Sequence, residues 1–472
     1  MKLVRGRNVA LVALFLLANS VPAGAAAVSA TPLSLPAGAL GVYQGYLPAL
    51  ACSREGNCVA GGTYNAANNA QGAVLLTQIH GTWQTGAPLA LPAGASLPTL
   101  LTLSCGSGDS CSGIGTAQTS ASVQASLVVS QSNGAWGTAQ ILTLPAHAST
   151  SGQNSQPHGI NCVATGTCAV VGTYNAGAAT LGYLAFERAG AWGRASQIVL
   201  PAAHNVNPQV TASQVSCWAP GACVAVGSFV TSNGVTQAFT VTSTNYQWHS
   251  AQLVTLPISA SAYSDASLSE VTCVGAGSCT AVGSFTTTSG TLTPMAVTMA
   301  HGAWGQAVAI HLPSGAASSG ATFLWGYAGV SCVTPGTCAF GGDYLTQSGQ
   351  HQGFLVNEVK NVWQSALTLP LPSGALYAGT NGGVIDVSCT TSGTCTAAAA
   401  YVDSSKLYQA MTISETAGTW GAPRPITMPG GATTVGVDGG IYGLACFADN
   451  TCQITGSYLA RTNHYQGFAA VS

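Results

Sequence analysis

The segment Cys332-Val333-Thr334-Pro335-Gly336-Thr337-Cys338 recurs eight times in variant form along this chain. In every copy five residues separate two cysteines, and the first cysteines of successive copies are 53, 57, 55, 56, 59, 57 and 57 residues apart. The copies use all 16 cysteines of the 472-residue chain: Cys52/Cys58, Cys105/Cys111, Cys162/Cys168, Cys217/Cys223, Cys273/Cys279, Cys332/Cys338, Cys389/Cys395 and Cys446/Cys452. A period of this length predicts a repeat architecture of eight similar units, numbered 1 to 8.

Each cysteine pair predicts a disulfide-closed hairpin. Eight separate two-thiol sites with this spacing match no zinc pattern, whereas paired cysteines are typical of a disulfide framework in an oxidising compartment. A tight loop with one residue at positive φ would place the two cysteines in cross-strand register, about 4.5 Å apart at Cα. Residues that tolerate that conformation occupy the loop: Gly56, Asp109, Gly166, Gly221, Gly277, Gly336, Gly393 and Asn450. We therefore predict eight structural disulfides, no metal site and no cofactor.

Alignment of the units on their cysteines shows further fixed positions. Seven units place Gly four residues after the second cysteine, and seven place an aromatic residue two positions later, as in Gly62 and Tyr64. Seven units also carry a Trp at a nearly constant distance from the first cysteine, and a Pro nine residues after each Trp, as in Trp83 and Pro92. These residues are interpreted as core. Short segments rich in Val, Thr and Ala, broken by Gly, Asn and Pro, predict four strands per unit, the fourth running from Trp to Leu-Pro.

The two ends of the chain complement each other. Unit 8 runs only from Cys446 to Ser472 and lacks the Trp and the Leu-Pro segment. Residues 33–39, Leu-Ser-Leu-Pro-Ala-Gly-Ala, resemble residues 89–95 of unit 1, Leu-Ala-Leu-Pro-Ala-Gly-Ala. The N-terminal segment is therefore expected to complete the last unit. The prediction is an all-β, eight-bladed β-propeller of four-stranded antiparallel blades, with one disulfide per blade and a ring closed by the N-terminal strand.

The N-terminal segment 1–27 has the pattern of a secretory signal peptide. Lys2, Arg5 and Arg7 precede an apolar run over positions 9–18, and small residues follow. That run is too short to span a bilayer. We expect cleavage between positions 25 and 30, a single propeller domain over residues 28–472, no later membrane span, and a secreted, extracellular or periplasmic location.

Charged residues are scarce. Asp, Glu, Lys and Arg make up 5% of the chain, against about 25% in an average soluble domain. No basic patch is present for nucleic acid, and no polybasic run for anionic lipid. A surface with so few titratable groups predicts a weak dependence of stability on pH. We expect a monomer whose partners are glycans or cell-surface proteins.

The turn before the fourth strand carries a family resemblance. It reads Gly-Thr-Trp or Gly-Ala-Trp in five units, at residues 81–83, 134–136, 190–192, 302–304 and 418–420. This turn resembles the end of the Asp-box turn of sialidase-like propellers, although the Asp and Ser of that box are absent. Over residues 31–472 the chain resembles secreted bacterial β-propeller repeat proteins. The resemblance implies the architecture, and no sialidase catalytic residue is matched.

Candidate chemistry is sparse. Six acids on the connections between strands could serve a glycosidase, which needs two facing carboxyl groups, but the sequence pairs none of them: Asp265, Glu270, Asp343, Asp386, Asp403 and Asp438. No serine-nucleophile elbow is present. His147, His158 and His204 lie on long connections and could converge on a metal or ligand, although each alone is more typical of a polar loop residue.

Residues that break the repeat pattern on the loop face are the predicted ligand-binding residues. They are Tyr43, Tyr46, His147, His158, His204, Tyr263, Asp265, Trp325, Tyr327, Tyr377, Asp438 and Tyr442. Aromatic platforms with few charges suit sugars or apolar ligands. The sequence therefore favours a non-catalytic extracellular binding module for carbohydrate or cell-surface ligands. A carbohydrate-active hydrolase or lyase and a structural envelope protein are the alternatives.

Overall fold

Every repeat unit forms three long strands that pair in sequence order. A computed structural model describes residues 28–43, 47–68, 70–132, 134–149, 155–261, 264–317, 329–378, 383–391, 394–430, 432–435 and 440–472. The first strands of units 1 to 8 are Ala49–Arg54, Ser96–Gly106, Ser155–Ala164, Thr211–Ala219, Ala266–Gly275, Gly329–Thr334, Val384–Thr391 and Ile441–Cys446. Units 1, 7 and 8 have an additional short strand before the first strand: Ala39–Val42, Ala375–Ala378 and Ala432–Val435.

The second and third strands form the centre of each sheet. The second strands are Asn57–Ala66, Ser110–Gln118, Thr167–Ala176, Ala222–Val230, Ser278–Thr286, Thr337–Leu345, Thr394–Asp403 and Cys452–Ala460. The third strands are Gln71–Ile79, Gln124–Ser132, Ala179–Arg188, Thr236–Thr244, Leu292–Ala300, His351–Val359, Tyr408–Thr416 and Tyr465–Val471. Pairing between first, second and third strands is antiparallel in all eight units. The protein is therefore all-β in its described part, as predicted.

The hairpin between first and second strands confirms the cysteine prediction. All 16 cysteines form the eight expected disulfides, and the Cα atoms of each pair lie 3.9–4.1 Å apart. The two cysteines of each pair are direct cross-strand partners. The loop residue has a positive φ of 53–73° in seven units, and Gly393 of unit 7 lies outside the described residues. Eight disulfides fit an oxidising, extracellular environment.

The second cysteine of several disulfides lies in the packed core between neighbouring sheets. Cys168, Cys223 and Cys279, the second cysteines of units 3, 4 and 5, are 3%, 1% and 2% exposed. Each belongs to a cluster of apolar side chains that packs between neighbouring sheets. Their predicted structural role as disulfide partners is confirmed.

The fourth strand differs from the sequence prediction, because it is interrupted after the Trp. In unit 1, Thr82–Trp83 pairs with the end of the third strand and Ala87–Pro88 pairs with its middle. The first pieces in units 1 to 7 are Thr82–Trp83, Ala135–Trp136, Ala191–Trp192, Gln247–Trp248, Ala303–Trp304, Val362–Trp363 and Thr419–Trp420. The second pieces, in the same order, are Ala87–Pro88, Gln140–Ile141, Ser196–Gln197, Gln252–Leu253, Val308–Ala309, Leu367–Thr368 and Arg424–Thr427.

The interruption has a hydrogen-bonding cause. Three residues after the Trp, the backbone N–H donates to a carbonyl of the preceding unit rather than to its own third strand. The bonds run from Ala139 to Ala90, Ala195 to Thr143, Ala251 to Val199, Ala307 to Thr255 and Ala366 to His311, with N–O distances of 2.8–2.9 Å. Each acceptor stands two residues before the Pro of its unit. The break in the fourth strand is therefore what links neighbouring units through the backbone.

The N-terminal strand, Val28–Pro32, pairs with strands of units 7 and 8. Its residues 30–32 pair antiparallel with residues 468–470 of the third strand of unit 8, and Leu33 N–H donates to Gly467 O at 2.8 Å. Val28 and Ser29 pair in parallel with residues 426–427 of unit 7, so that units 7 and 8 share one eleven-stranded sheet. Gly86 N–H of unit 1 donates to Ser34 O at 2.7 Å, which repeats the inter-unit bond of the other units.

Apolar side chains pack between neighbouring sheets. The aromatic residue after the repeated Gly is at most 8% exposed in six units: Tyr174, Phe229, Phe285, Tyr344, Tyr401 and Tyr458. The seven repeat Trp residues are less buried than expected, since only Trp420 is fully buried and the others are half-buried against the core. Among the described residues, no helix is long and apolar enough to cross a membrane.

Replacement of Leu33 by Ala is expected to lower the free energy of unfolding by about 2–5 kcal/mol. Leu33 is 3% exposed and packs with Leu47, Leu76 and Ala469, so truncation would leave a cavity between units 1 and 8. Leu40→Ala is the matched control, because Leu40 is 38% exposed and its truncation should change stability by less than about 0.5 kcal/mol. Urea unfolding measures both, and equal midpoints would contradict this packing role.

Candidate functional site

The first strands of all eight units border one cavity of about 330 Å³, called here the eight-strand cavity. Its lining consists of Pro48, Leu50, Leu101, Thr102, His158, Gln214, Glu270, Gly329, Val330, Ile385, Asp386, Tyr442 and Gly443. The first strands of successive units contact each other from unit 1 to unit 8, and those of units 8 and 1 also do so. The cavity thus lies where every unit can contribute a side chain to one ligand.

Gln214, Glu270 and Asp386 occupy the same repeat position, three residues before the first cysteine of units 4, 5 and 7. In each strand the register with the second strand shifts just before this position. Such a bulge disrupts the ladder locally and redirects a side chain. The following N–H bonds to the redirected side chain, with 3.0 Å from Val215 N to Gln214 Oε1 and 2.8 Å from Val387 N to Asp386 Oδ1. The repeat therefore anchors a polar side chain at the cavity through one backbone bond.

A glycine separates the two acids. Unit 6 has Gly329 at this position, and a Cβ atom there would lie 2.6 Å from the backbone N of Val387 in unit 7. Real Cβ atoms do not approach backbone so closely, so the spacing of the two strands requires glycine. Unit 6 consequently presents no side chain between Glu270 and Asp386, whose carboxyl groups interact electrostatically.

Both carboxyl groups hold their protons to unusually high pH. Burial, and then the charge of Asp386, raises the pKa of Glu270 to about 8, although hydrogen bonds from Gln214 and Val271 N–H oppose the shift. Burial also raises the pKa of Asp386 to about 7, opposed by the N–H groups of Val387 and Leu444. Desolvation disfavours the charged form of an acid, and a neighbouring anion does the same. Each side chain keeps partial solvent contact, as expected for a cavity wall.

His158 is the third titratable group of the described lining whose pKa departs from its ordinary value. Burial lowers its pKa, so the imidazole is neutral at pH 7. Its Nε2 lies 3.2 Å from Thr173 Oγ1. A neutral imidazole has one N–H donor and one acceptor nitrogen. Together with the amide of Gln214, His158 gives the cavity uncharged hydrogen-bonding groups beside the acids.

Near pH 7 this arrangement offers both donors and acceptors in one enclosed space. A protonated carboxyl group donates one hydrogen bond, and an ionised one only accepts. A hydroxyl group can accept from the former and donate to the latter. The cavity is therefore chemically matched to a small hydroxylated molecule. A free anion would meet the negative potential of the acid pair, which disfavours its binding.

Of the twelve predicted ligand-binding residues, two line this cavity. They are His158 and Tyr442. Tyr43 and Tyr377 are half-buried beside the additional short strands of units 1 and 7. Asp265 is exposed and accepts a 2.8 Å hydrogen bond from Thr236 N–H. The remaining aromatic and acidic predictions lie outside the described residues: Tyr46, Tyr263, Trp325, Tyr327 and Asp438.

The three histidines predicted on long connections have different partners, and His158 lies in the first strand of unit 3 instead. His147 Nε2 lies 2.8 Å from Gln197 Oε1 and 2.8 Å from Tyr174 Oη. His204 is exposed, and its Nδ1 lies 2.8 Å from Asn205 O. His158 faces the cavity instead. Within the described ranges, no group of three or more His, Cys, Asp or Glu is placed to hold a metal ion.

Two further acids named as glycosidase candidates are engaged within their own units. Asp343 is buried, and its Oδ2 lies 3.1 Å from His351 Nδ1. Asp403 accepts hydrogen bonds from the backbone N–H groups of Ser405 and Leu407 at 2.8 and 3.0 Å, and from Gln409 Nε2 at 2.9 Å. These contacts stabilise the turn between the second and third strands. Neither acid is part of the lining of the eight-strand cavity.

Sequence reasoning named Glu270 and Asp386 as separate candidates but missed their relation and missed Gln214. The available signal was their common offset of three residues from the first cysteine. Alignment on the cysteines alone would have shown polar residues in units 4, 5 and 7 where units 3, 6 and 8 have glycine. The sequence could not show the interaction between Glu270 and Asp386 across unit 6, because it depends on how closely the first strands of neighbouring units approach one another.

Comparison with known proteins gives distant structural likeness only. No protein family and no curated protein matches this sequence. The solved structure of YCF48 from Cyanidioschyzon merolae is 12% identical, covers 94% of this chain and 98% of its own, and has a TM-score of 0.39. The Hadza microbial sialidase Hz136 is 12% identical over 76% of this chain and 73% of its own, with a TM-score of 0.37.

A fucoside-bound lectin is similarly distant. A mutant of the Aleuria aurantia lectin in complex with alpha-methyl-L-fucoside is 10% identical over 71% of this chain and 99% of its own, with a TM-score of 0.34. At these identities and TM-scores the likeness carries no argument about the activity or ligand of this chain. The function must be inferred from the cavity itself.

Stability is expected to fall as the pH rises from 6.5 to 8.5. Unfolded Glu and Asp are already ionised at pH 6.5, whereas folded Glu270 and Asp386 release protons only near pH 8 and 7, so the folded state binds more protons and loses stability as they leave. This expectation replaces the weak pH dependence predicted from the surface alone. The double variant Glu270→Gln with Asp386→Asn should reduce the fall by at least about 1.4 kcal/mol, the equivalent of one pKa unit.

Urea unfolding at the two pH values measures this change. His158 is present in both proteins, so its own titration cancels in the comparison. Glu55→Gln serves as the control, because Glu55 is an exposed acid. An unchanged pH dependence in the double variant would show that the two acids are not ionising inside the fold.

Proposed function

We propose that the eight units close into a β-propeller over residues 28–472, secreted after removal of the segment 1–27. Contact between the first strands of units 8 and 1 supports closure. The pairing of residues 30–32 with unit 8 and the bond from Gly86 to Ser34 also support it, because the N-terminal segment then makes the contacts of the missing fourth strand. A closed ring leaves no open sheet edge, and the disulfides suit an exported monomer.

The proposed function is binding of a small hydroxylated ligand, of the sugar class, in the eight-strand cavity. The observation that carries this proposal is the set of Gln214, Glu270, Asp386 and His158 around one cavity of about 330 Å³. Ligand pockets begin at about this size and orient their ligands with a few placed polar groups. A sugar ring carries several hydroxyl groups. Each of them can accept a hydrogen bond from a protonated carboxyl group and donate one to a carboxylate.

We propose binding rather than catalysis as the role of these acids. Glu270 and Asp386 each receive two hydrogen bonds from the protein, which fixes their orientation but engages part of their bonding capacity. The loop-face residues Tyr43 and Tyr377 of the sequence prediction would extend the site outward if the ligand is a longer glycan. We favour recognition in which the end of a glycan binds in the cavity and its next sugars contact the loops.

The second candidate function is glycoside hydrolysis by the same two acids. The specific observation in its favour is the electrostatic interaction of Glu270 with Asp386 and the raised pKa of both carboxyl groups. A glycosidase uses one protonated acid and one carboxylate on either side of the scissile bond. Under this alternative Glu270, with the higher pKa, would be the general acid. The third possibility, a structural envelope protein, would leave the cavity without a ligand.

A glycan array and polysaccharide pull-down with the oxidised protein test the proposal. We expect binding to at least one neutral glycan and at least a tenfold loss of affinity in Glu270→Gln with Asp386→Asn, because amides cannot reproduce the acid–carboxylate pair. Glu55→Gln should bind as the unmodified protein does. Thermal unfolding of each variant at pH 6.5 checks that the loss is not a loss of folding.

Three outcomes separate the alternatives. Shortened or released sugars, detected by product analysis of the same mixtures, would replace binding with hydrolysis. Binding that survives the double variant but is lost in Trp325→Ala would move the site to the loop face. Absence of binding to every glycan would overturn the proposal and leave the structural role.

A further inference from the structure

A second acid pair lies in a cleft between units 6 and 7, on the side of the disulfide hairpins. The cleft has a volume of about 310 Å³. Glu358 and Glu415 line it and are only 2% and 3% exposed. Its other lining residues are Val333, Thr337, Cys338, Asn357, Val359, Lys360, Cys395, Ala417 and Gly418. Two buried acids thus stand in a largely apolar cleft, each directly opposite the repeat Trp of its own unit.

Units 1 and 2 contain the equivalent cleft with amides in place of the acids. Gln78 and Gln131 are likewise the cross-strand partners of the repeat Trp, and both line a corresponding cleft. Their Nε2 atoms donate to the turn carbonyls of Gly81 and Gly134 at 3.2 and 3.1 Å. A carboxylate cannot make this bond, because it has no N–H donor. The fold therefore accepts an amide here, and a carboxylate at this position cannot bond the turn carbonyl in the same way.

The two acids are only partly satisfied by the protein. Glu358 Oε2 is buried and has no hydrogen-bond partner among the described residues. Glu415 accepts a hydrogen bond from Gly418 N–H. In unit 3 the equivalent Glu187 accepts a 2.9 Å bond from Ser112 of unit 2, but unit 6 has Ala339 at the position of Ser112. Glu415 therefore lacks the hydroxyl partner that Glu187 has.

The walls of the cleft are held in place beside the acids. Asn357 Nδ2 donates to Gly418 O at 3.3 Å, and Trp420 Nε1 donates to Asn357 Oδ1 at 3.1 Å. These bonds tie unit 6 to unit 7 beside the acids. Burial raises the pKa of Glu358 to about 7 and also raises that of Glu415. A cation entering the cleft would relieve this cost, because a buried acid is stabilised by a paired charge.

We propose that this cleft binds a primary alkylammonium group through Glu358 and Glu415. An ammonium group has three N–H donors for the carboxylate oxygens, and its methylene chain can pack on Val333, Val359 and Ala417. A calcium ion would need six to eight oxygen ligands, whereas the amide oxygen of Asn357 is already bonded to Trp420. The group can come from a lysine side chain of another protein or from a free diamine.

Lys360 places a positive charge at the entrance of the cleft. It is exposed and lines the cleft, and within the described part of the chain it forms no ion pair with either acid. Its ammonium group competes with an incoming cation through repulsion at the entrance. Among the lining residues, the only titratable groups besides Lys360 are the two acids, since both cysteines are in disulfides.

Isothermal titration calorimetry at pH 8 with 1,5-diaminopentane and with the peptide Gly-Lys-Gly, acetylated at its N-terminus so that the lysine side chain is its only amine, tests the proposal. We expect at least one of them to bind, and at least a tenfold loss of affinity in Glu358→Gln with Glu415→Gln. That variant should fold, because Gln78 and Gln131 already occupy the equivalent positions. Lys360→Asn should instead strengthen binding severalfold; Asn also tolerates the φ of 52° at this residue.

The controls separate the sources and the competing explanations. Binding of the diamine alone identifies a free amine, and binding of the peptide identifies a lysine side chain. Glu55→Gln should bind the probes as the unmodified protein does. The proposal is overturned if neither probe binds, if pentan-1-ol binds as well as the diamine, if calcium chloride binds in place of the amines, or if the Gln double variant retains full affinity.

Discussion

The close approach of the eight first strands is the constraint on which the rest of the structure depends. A Cβ atom at Gly329 would clash with the backbone of unit 7, and one at Gly443 would clash with Leu50 of unit 1. Strands this close leave space for a side chain only in some units. Because Gln214, Glu270 and Asp386 take that space, the same packing that joins the units also builds a polar cavity between them.

The few acidic residues of this protein are not confined to its surface. Only 12 of 472 residues are Asp or Glu, yet Glu187, Asp343, Glu358 and Glu415 are at most 3% exposed and two more acids border the eight-strand cavity. A protein with a neutral polar surface would be expected to place its few acids in water, since burial of an unpaired charge is costly. Half of its acids instead lie in the interior or beside a cavity. Asp343 and Glu187 have hydrogen-bond partners there, whereas Glu358 Oε2 has none among the described residues.

The sequence predicts the covalent framework and the strand pattern well, whereas the contacts between units need the structure. Cysteine spacing with a positive-φ loop residue is a local signal, so the hairpins, their disulfides and the repeat number could be read directly. The break after Trp83 could not, because it depends on a hydrogen bond to another unit. The same holds for Glu270 with Asp386: an offset from the cysteine shows a shared position, but only packing shows that Gly329 leaves the two acids in electrostatic contact.

Because the units repeat, a side chain at one repeat position can differ between units while the fold stays the same. Gln and Glu have the same shape, and both occur at the position opposite the Trp, as Gln78 in unit 1 and Glu358 in unit 6. The amide bonds the turn carbonyl in one unit, whereas the acid of the other has a buried oxygen with no hydrogen-bond partner among the described residues. Burial raises the pKa of this acid and of Glu415 in unit 7. A substitution that preserves the shape of a side chain thus changes the bonding capacity and the titration of one unit while its backbone stays the same.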